Sequence, residues 1–506
     1  MRKLLMILLA VVLILGLMAC GQTVEEEDDK TLMVPATRPS EPEETTPIYV
    51  RPGEDEETNE DGENEGGNST ADPTPSNPGN TDAEQPEEEE EETVTPGGDT
   101  DGDTGDGFDD EVTSNPQGSA TDLSWENINS FAIKSSDMSV EQLRTLCVDF
   151  FRYAKTALWT PSQTIDYIRN KNGTEDTMIG GQLYGGLPYV GNANGNIYRL
   201  LDYMGENGVV NMEDMLGGET VFTDTAQLRY FGNQCAHGAT VGWARVINST
   251  TKFVTASMTT GNGYIPIGPY TYDTAKIKSF NDKDGYRTTD IVKANGQQVM
   301  FQSYAQLKKA DGLVYYTTAG HVIMAATDAH VEYIQGTDLI DGSGSYIYII
   351  DMAQRWESYT TADGRDYQIK NSVDAKVTFA QLFNNNYLPF TFAEFLGTDP
   401  IEDTTATFSV TGATTTLDQL FKGKVTSNYA ITDAYIILYD SEGDQVYKHA
   451  VRNKSAWGKT LDMAKTGENV DFWGNLNVLQ GTYTVKVEVQ LGTGERPTVY
   501  TGTLSV

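Results

Sequence analysis

The 506-residue chain holds only three cysteines, Cys20, Cys147 and Cys235, and only four histidines. Three scattered cysteines build no disulfide framework. No CxxC pair or clustered His/Cys spacing suggests a zinc site. Neither GxxxxGK[ST] nor a strand-linked GxGxxG is present, so no phosphate cradle is expected. Positive charge is scarce as well, with 35 Lys and Arg against 74 Asp and Glu and a formal net charge of -39. A chain of that sign repels phosphate, so no nucleic-acid partner is expected. No cofactor and no metal are expected, and no internal repeat is evident.

The negative charge is concentrated. Residues 21–120 carry 32 acidic and 3 basic side chains, including six consecutive glutamates from Glu87 to Glu92. Pro, Gly, Thr and Asn fill much of the remainder. Such a segment buries too little apolar surface to offset its ordering entropy, and a disordered acidic linker is expected there. As a flexible coil it reaches roughly 55 Å. All six tryptophans follow it. Thr121–Val506 is only mildly acidic and long enough to bury a full core.

Arg2 and Lys3 precede an apolar run from Leu4 to Met18. A basic start and an apolar stretch of that length read as a secretory signal, and the run is short for a membrane-spanning helix. It ends in Leu17-Met18-Ala19-Cys20, followed by Gly21. These residues resemble the bacterial lipoprotein signal. The resemblance implies cleavage before a diacylated Cys20, a double anchor that holds stably. A lipid-anchored protein on the extracytoplasmic face of a bacterial membrane is therefore expected, with residues 1–20 as signal and 21–120 as spacer.

Between 121 and 400 lie the residues with chemical potential. Ser139 to Lys155 has the spacing of an amphipathic helix, with Leu143, Leu146, Cys147, Phe150, Phe151 and Ala154 on one face. Ser139 and Gln142 form a capping box at its start. Cys147 sits on the apolar stripe, as a small inert hydrophobe would. Cys235 follows the breakers Gly232 and Asn233 and opens a second helix running to about Val246, in which Gly238, Ala239 and Gly242 keep one face small. Two roles fit Cys235: a buried cysteine in a Gly-rich helix, or a thiolate favoured by the unpaired N–H groups at a helix start. A thiolate nucleophile needs a base. His237 projects elsewhere on the same helix, and His449 lies in the carboxy-terminal module. His321 opens a buried strand, His-Val-Ile-Met-Ala-Ala, after a strand at Leu313–Tyr316. His330 opens a further strand, Val331–Ile334, at the far end of that hairpin. Asp351 ends the apolar strand Ser345–Asp351, either as a turn residue or as a carboxylate orienting the histidine; His330 is the alternative third member.

Gly186-Leu187-Pro188-Tyr189, the Cys235 helix start and Gly320-His321-Val322 together resemble the NlpC-type cell-wall cysteine peptidases of the papain-like group. Lys308-Lys309-Ala310-Asp311 resembles that family's Pro-Gly-Asp turn before the histidine strand, without its Pro and Gly. The resemblance covers about Ser139–Leu396. It implies an α+β papain-like fold over 121–400, with Cys235 as nucleophile, His321 as base, Asp351 as orienting residue, and Tyr189 and Gln234 in contact with substrate. Tyr189 also reads as a core aromatic. Where the family has Asp-Cys-Ser-Gly, this chain has Asn233-Gln234-Cys235-Ala236-His237-Gly238, and the stretch from Tyr189 to Cys235 is longer than usual.

From about residue 401 short strands alternate with turns. Ala434–Tyr439, Gln445–Val451, Gly481–Gln490 and Thr498–Val506 read as strands, with Asp440–Asp444 as a hairpin turn. About 100 residues of this pattern fit an immunoglobulin-like β-sandwich. The expected function is a surface-anchored cysteine hydrolase of peptide or amide bonds, with peptidoglycan stem peptides as substrate. The alternative is a non-catalytic surface-binding lipoprotein on a degenerate peptidase fold. Replacing Cys20 by Ala is expected to leave the precursor unprocessed or release the protein, read by membrane fractionation and intact mass. Normal processing with membrane retention would contradict the anchor.

Overall fold

The computed structural model describes the strand Leu32–Pro35 and residues 120–506, apart from 169–174, 191–194, 217–220, 223–231, 249–263, 274–275, 277–286, 317–319, 353–355, 413–415, 454–457, 465–468 and 474–478. Cys20 and most of the acidic stretch lie outside the described residues. Leu32–Pro35, inside the stretch expected to be a linker, pairs antiparallel with Thr405–Ser409. Among the described residues no helix is long and apolar enough to cross a membrane.

Helix α1 (Val140–Thr156) forms where the 3.6-residue apolar spacing predicts it. The Ser139 hydroxyl accepts from the Gln142 N–H, and the Gln142 side chain accepts from the Ser139 N–H at 2.8 Å, completing the capping box. Helix α2 (Cys235–Trp243) is shorter than the predicted run to Val246, because the backbone breaks into turns at Ala244. Every residue of α2 is buried. It can lie this deep because it has two glycines: a Cβ on Gly242 would stand 2.6 Å from the Phe151 Cβ of α1 and 2.8 Å from Met324 Cε on the sheet. Gly242 therefore sets how closely α1, α2 and the sheet approach.

That sheet comprises β1 (Ile265–Pro266), β2 (Gly312–Tyr316), β3 (Gly320–Ala325), β4 (Tyr346–Asp351), β5 (Ser372–Thr378) and β6 (Leu388–Thr391), in spatial order β5-β4-β3-β2-β6-β1. All neighbours are antiparallel. β2 and β3 form a hairpin that pairs His321 with Tyr315, and β4 adds Ile350 opposite Met324. The apolar runs of β2 and β3 are buried on both faces, which explains why they do not alternate with polar residues, whereas the first half of β4 alternates between partly exposed tyrosines and buried isoleucines. Val331–Ile334 is not a strand. It is a loop, with Tyr333 and Ile334 at 61% and 45% exposure, that turns back on itself through an isolated bridge from Tyr333 to Ile340 instead of joining a ladder.

The carboxy-terminal strands make two antiparallel sheets. One holds Leu32–Pro35, Thr405–Ser409, Lys424–Ser427 and Thr460–Asp462; the other holds Asn469–Trp473, Gln445–Arg452, Ile431–Tyr439, Thr482–Leu491 and Thr498–Ser505. Phe408 and Val425 of the first pack with Ile436, Leu438 and Val487 of the second in one core, giving a β-sandwich. The hairpin at Asp440–Asp444 closes with the Asp440 N–H donating to the Asp444 carbonyl at 3.0 Å.

The sandwich is joined to the α+β part by buried charge. Arg199 Nε lies 3.1 Å from Asp433 Oδ1, and Arg452 Nη1 lies 3.0 Å from the same oxygen. Asp202, at the end of the short helix Ile197–Asp202, receives Lys448 at 3.0 Å, Arg452 at 3.3 Å and the Tyr435 hydroxyl at 2.7 Å. Burial pushes the Asp202 carboxyl up, but Lys448, Arg452 and Arg496 outweigh it and hold the group at about 2. Removing one member of such a cluster strands the others without a partner.

A depressed carboxylate contributes stability that is present above its unfolded value of 3.8 and is lost as pH falls through the folded value. Asp202→Asn is expected to lose about 2–3 kcal/mol in urea unfolding at neutral pH, a gap that narrows from pH 4 towards pH 2. A pH-independent difference would contradict the ion cluster.

Candidate active site

Cys235 is the first residue of α2, preceded by Gln234 at the N-cap, whose side chain does not cap the helix. The thiol therefore stands at the amino-terminal, positive end of the helix dipole. The segment that delivers it is fixed by a second piece of chain. Asn233 donates its N–H to the Pro188 carbonyl and accepts from the Val190 N–H, each at 3.1 Å, in a parallel bridge to Tyr189. Gly186 turns the chain into this pairing at φ +62°, and a Cβ there would stand 2.4 Å from the Lys155 carbonyl. Only glycine fits both demands. The motif Gly186–Tyr189 thus lies directly beside the approach to Cys235. Tyr189 is 8% exposed and belongs to the main core.

His321 lies one residue into β3 and is 1% exposed. Its Nε2 sits 2.9 Å from Asp351 Oδ2 and 2.8 Å from Oδ1. Cys235, at the start of α2, acts on the ring from the helix packed against this strand. Since Nε2 faces the carboxylate, Nδ1 is the nitrogen left for another partner. The Cys235 thiol also donates to the Gly320 carbonyl at 3.9 Å. Burial alone would drive the imidazole towards neutrality. The charges of Asp351 and the Cys235 thiolate, with their hydrogen bonds, outweigh it and raise the His321 pKa well above the ordinary histidine range. The arrangement thus favours the imidazolium form of His321. Tyr315 and Tyr387 wall the ring, with centroids 6.1 and 6.5 Å away.

The expected third residue lies at the end of β4. Asp351 pairs with Ser372 across the ladder and is 7% exposed. His330 is elsewhere: it is exposed, bonded to Glu332 at 3.1 Å and stacked on Tyr346. Gln234, expected to contact substrate, has a partner on its own helix. Its Nε2 lies 2.7 Å from His237 Nδ1, three residues along the helix, a local i,i+3 pairing. Cys147 is fully buried, and burial pushes its thiol far above the reactive range.

Two residues that the sequence did not single out stand in the site. Asn233 orients the chain before Cys235. Lys155, in the last turn of α1, is 1% exposed, and its Nζ donates to Asn233 Oδ1 at 3.1 Å. A basic residue in a last turn ordinarily reads as a solvated partner of the helix dipole, so the sequence carries no local signal for its burial.

No family model matches the chain, and no curated protein or solved structure matches it either. The geometry therefore stands on its own residues. At pH 6, iodoacetamide is expected to label Cys235 and spare Cys147 in the native protein. Because one pKa unit changes the thiolate fraction about tenfold, His321→Ala should slow that labelling by about tenfold or more. Peptide mapping by mass spectrometry reads both results; labelling of Cys147 first, or no effect of His321→Ala, would contradict the pairing.

Proposed function

We propose that the α+β portion is an NlpC-type, papain-like cysteine hydrolase, carried with an immunoglobulin-like sandwich on a surface lipoprotein. The observation that carries this reading is the buried His321–Asp351 pair at 2.9 Å with Cys235 at a helix start beside it, its sulfur 3.9 Å from the carbonyl of Gly320, the residue before His321. A further observation supports the resemblance. Ala310 adopts φ +66° in the turn before the histidine strand, the left-handed conformation that glycine takes without strain, and the family's Pro-Gly-Asp turn has glycine there.

The chemistry follows from the relay. The thiol proton resides on His321, and the Cys235 thiolate attacks a peptide or amide carbonyl. The oxyanion that forms is met by N–H groups at the start of α2. The imidazolium returns its proton to the leaving amine, giving a thioester and a free amine. His321 then takes a proton from water, and hydroxide addition followed by loss of the thiolate releases the acid. Asp351 keeps Nε2 protonated throughout, so that Nδ1 handles the moving proton. An exported, lipid-anchored enzyme on a long acidic spacer meets wall peptides, which makes peptidoglycan stem peptides the proposed substrate.

A second reading, a binding lipoprotein with a degenerate peptidase fold, draws on one observation. Gln234 is turned onto His237, and the sulfur-bearing residue is only 9% exposed. Purified wall material incubated with the wild type and with Cys235→Ala separates the two. New amine and carboxyl ends produced only by the wild type are expected. Identical soluble peptides from both proteins, across several wall chemistries, would favour the binding reading.

A further inference from the structure

Lys155 is an ammonium placed where a protein ordinarily avoids one. It is 1% exposed, and no carboxylate lies within ion-pairing distance of its Nζ among the described residues. Its neighbours are the Asn233 side-chain oxygen at 3.1 Å, the Met352 sulfur in direct contact, and the Phe151 ring with its centroid 5.1 Å away. The space it occupies is made by α2 itself: a Cβ on Gly238 would stand 2.7 Å from Nζ and 2.8 Å from Met352 Cγ. The charged groups that act on it come from two other elements, Cys235 on α2 and Asp351 on β4. On its own helix, Arg152 points away to Asp149 and Asp374. An unpaired buried charge costs stability unless something uses it.

Resting on the hydrolase reading, we infer that Lys155 is a positioning residue of the Cys235 site: its ammonium holds Asn233, fixing the entry to α2, and adds positive charge beside the Cys235 thiolate. Three features point the same way. The hydrogen bond goes to the residue two before the nucleophile. The glycine that admits Nζ lies in the first turn of the nucleophile's own helix. The two charges that favour the protonated amine belong to the two ends of the relay. Burial brings the amine down to about 7, and the negative charges of Asp351 and Cys235 work against that burial. The loss of charge on Lys155 therefore falls in the neutral range and is coupled to the state of the thiol.

The test uses Lys155→Met, which keeps length and removes charge, and Lys155→Gln, which removes charge but keeps a donor. In both, the iodoacetamide labelling rate of Cys235 is followed from pH 4 to 9 beside thermal melting. If Lys155 acts on the thiol, its acidic limb moves up by about one unit, and labelling at pH 6 falls about tenfold. Melting of Lys155→Met stays unchanged or rises, because a buried unpaired charge has been removed. A residue that only supports the fold would instead lower the melting temperature and leave the limb in place. Labelling profiles equal to wild type in a folded variant of either kind would overturn the inference. His321→Ala, measured alongside, separates the two claims. If it leaves the wild-type profile unchanged, the hydrolase reading fails. If it slows labelling while both Lys155 variants do not, only the role of Lys155 fails.

Discussion

Asp351 ends a strand whose inward residues are fully buried, and a carboxylate in that position is tolerable only with a partner. His321, on the neighbouring strand, is that partner at 2.8–2.9 Å. This contact constrains everything around it. With Nε2 committed to the carboxylate, the ring has Nδ1 left for another partner, and α2 brings the Cys235 sulfur within 3.9 Å of the carbonyl of the preceding residue, Gly320. The protonated ring is favoured because the negative charge of Asp351 works against the cost of burying it. The site is thus an alternation of thiol, imidazole and carboxylate, drawn from a helix and two strands.

That alternation requires the helix to lie close against the sheet, and the closeness comes from missing atoms. Gly242 lets α2 settle between Phe151 and Met324, Gly238 leaves room for Lys155 and Met352, and Gly186 lets the adjoining loop pass over the Lys155 carbonyl. Small residues weaken a helix intrinsically. Here burial compensates, since every residue of α2 is packed. The far end of the same helix is also held. A Cβ on Gly492 would stand 2.7 Å from the Ala244 Cβ, so the sandwich abuts the turn that ends α2. The buried ion cluster at Asp202 and Asp433 fixes the sandwich in that position.

Much of this was legible from local pattern. The capping box at Ser139, the apolar stripe of α1, the strands on either side of His321 and the hairpin at Asp440 each follow from a few consecutive residues. Cys235 at a helix start was legible because Gly232 and Asn233 break the chain before it. What was not legible depends on distant chain. Lys155 looks like a surface residue until α2, eighty residues later in sequence, brings Gly238 against it. Val331–Ile334 has the composition of a strand but makes only an isolated bridge, Tyr333 to Ile340, and it forms a loop. Leu32–Pro35 lies in a segment of linker composition and still forms a strand pair with Thr405–Ser409, because that sheet offers it an edge. Gln234, expected to contact substrate, has its amide beside His237 three residues on, a pairing that no local pattern signals.

The central proposal is that His321 serves Cys235 as its base. The ultraviolet absorbance of the thiolate, titrated with pH in the wild type, Cys235→Ala and His321→Ala, tests it directly. The account predicts thiolate absorbance in the wild type well below the free-thiol value of about 8.5, absent in Cys235→Ala and shifted towards that value in His321→Ala. Absorbance that rises only near the free-thiol value in the wild type, or is unmoved by His321→Ala, would contradict it.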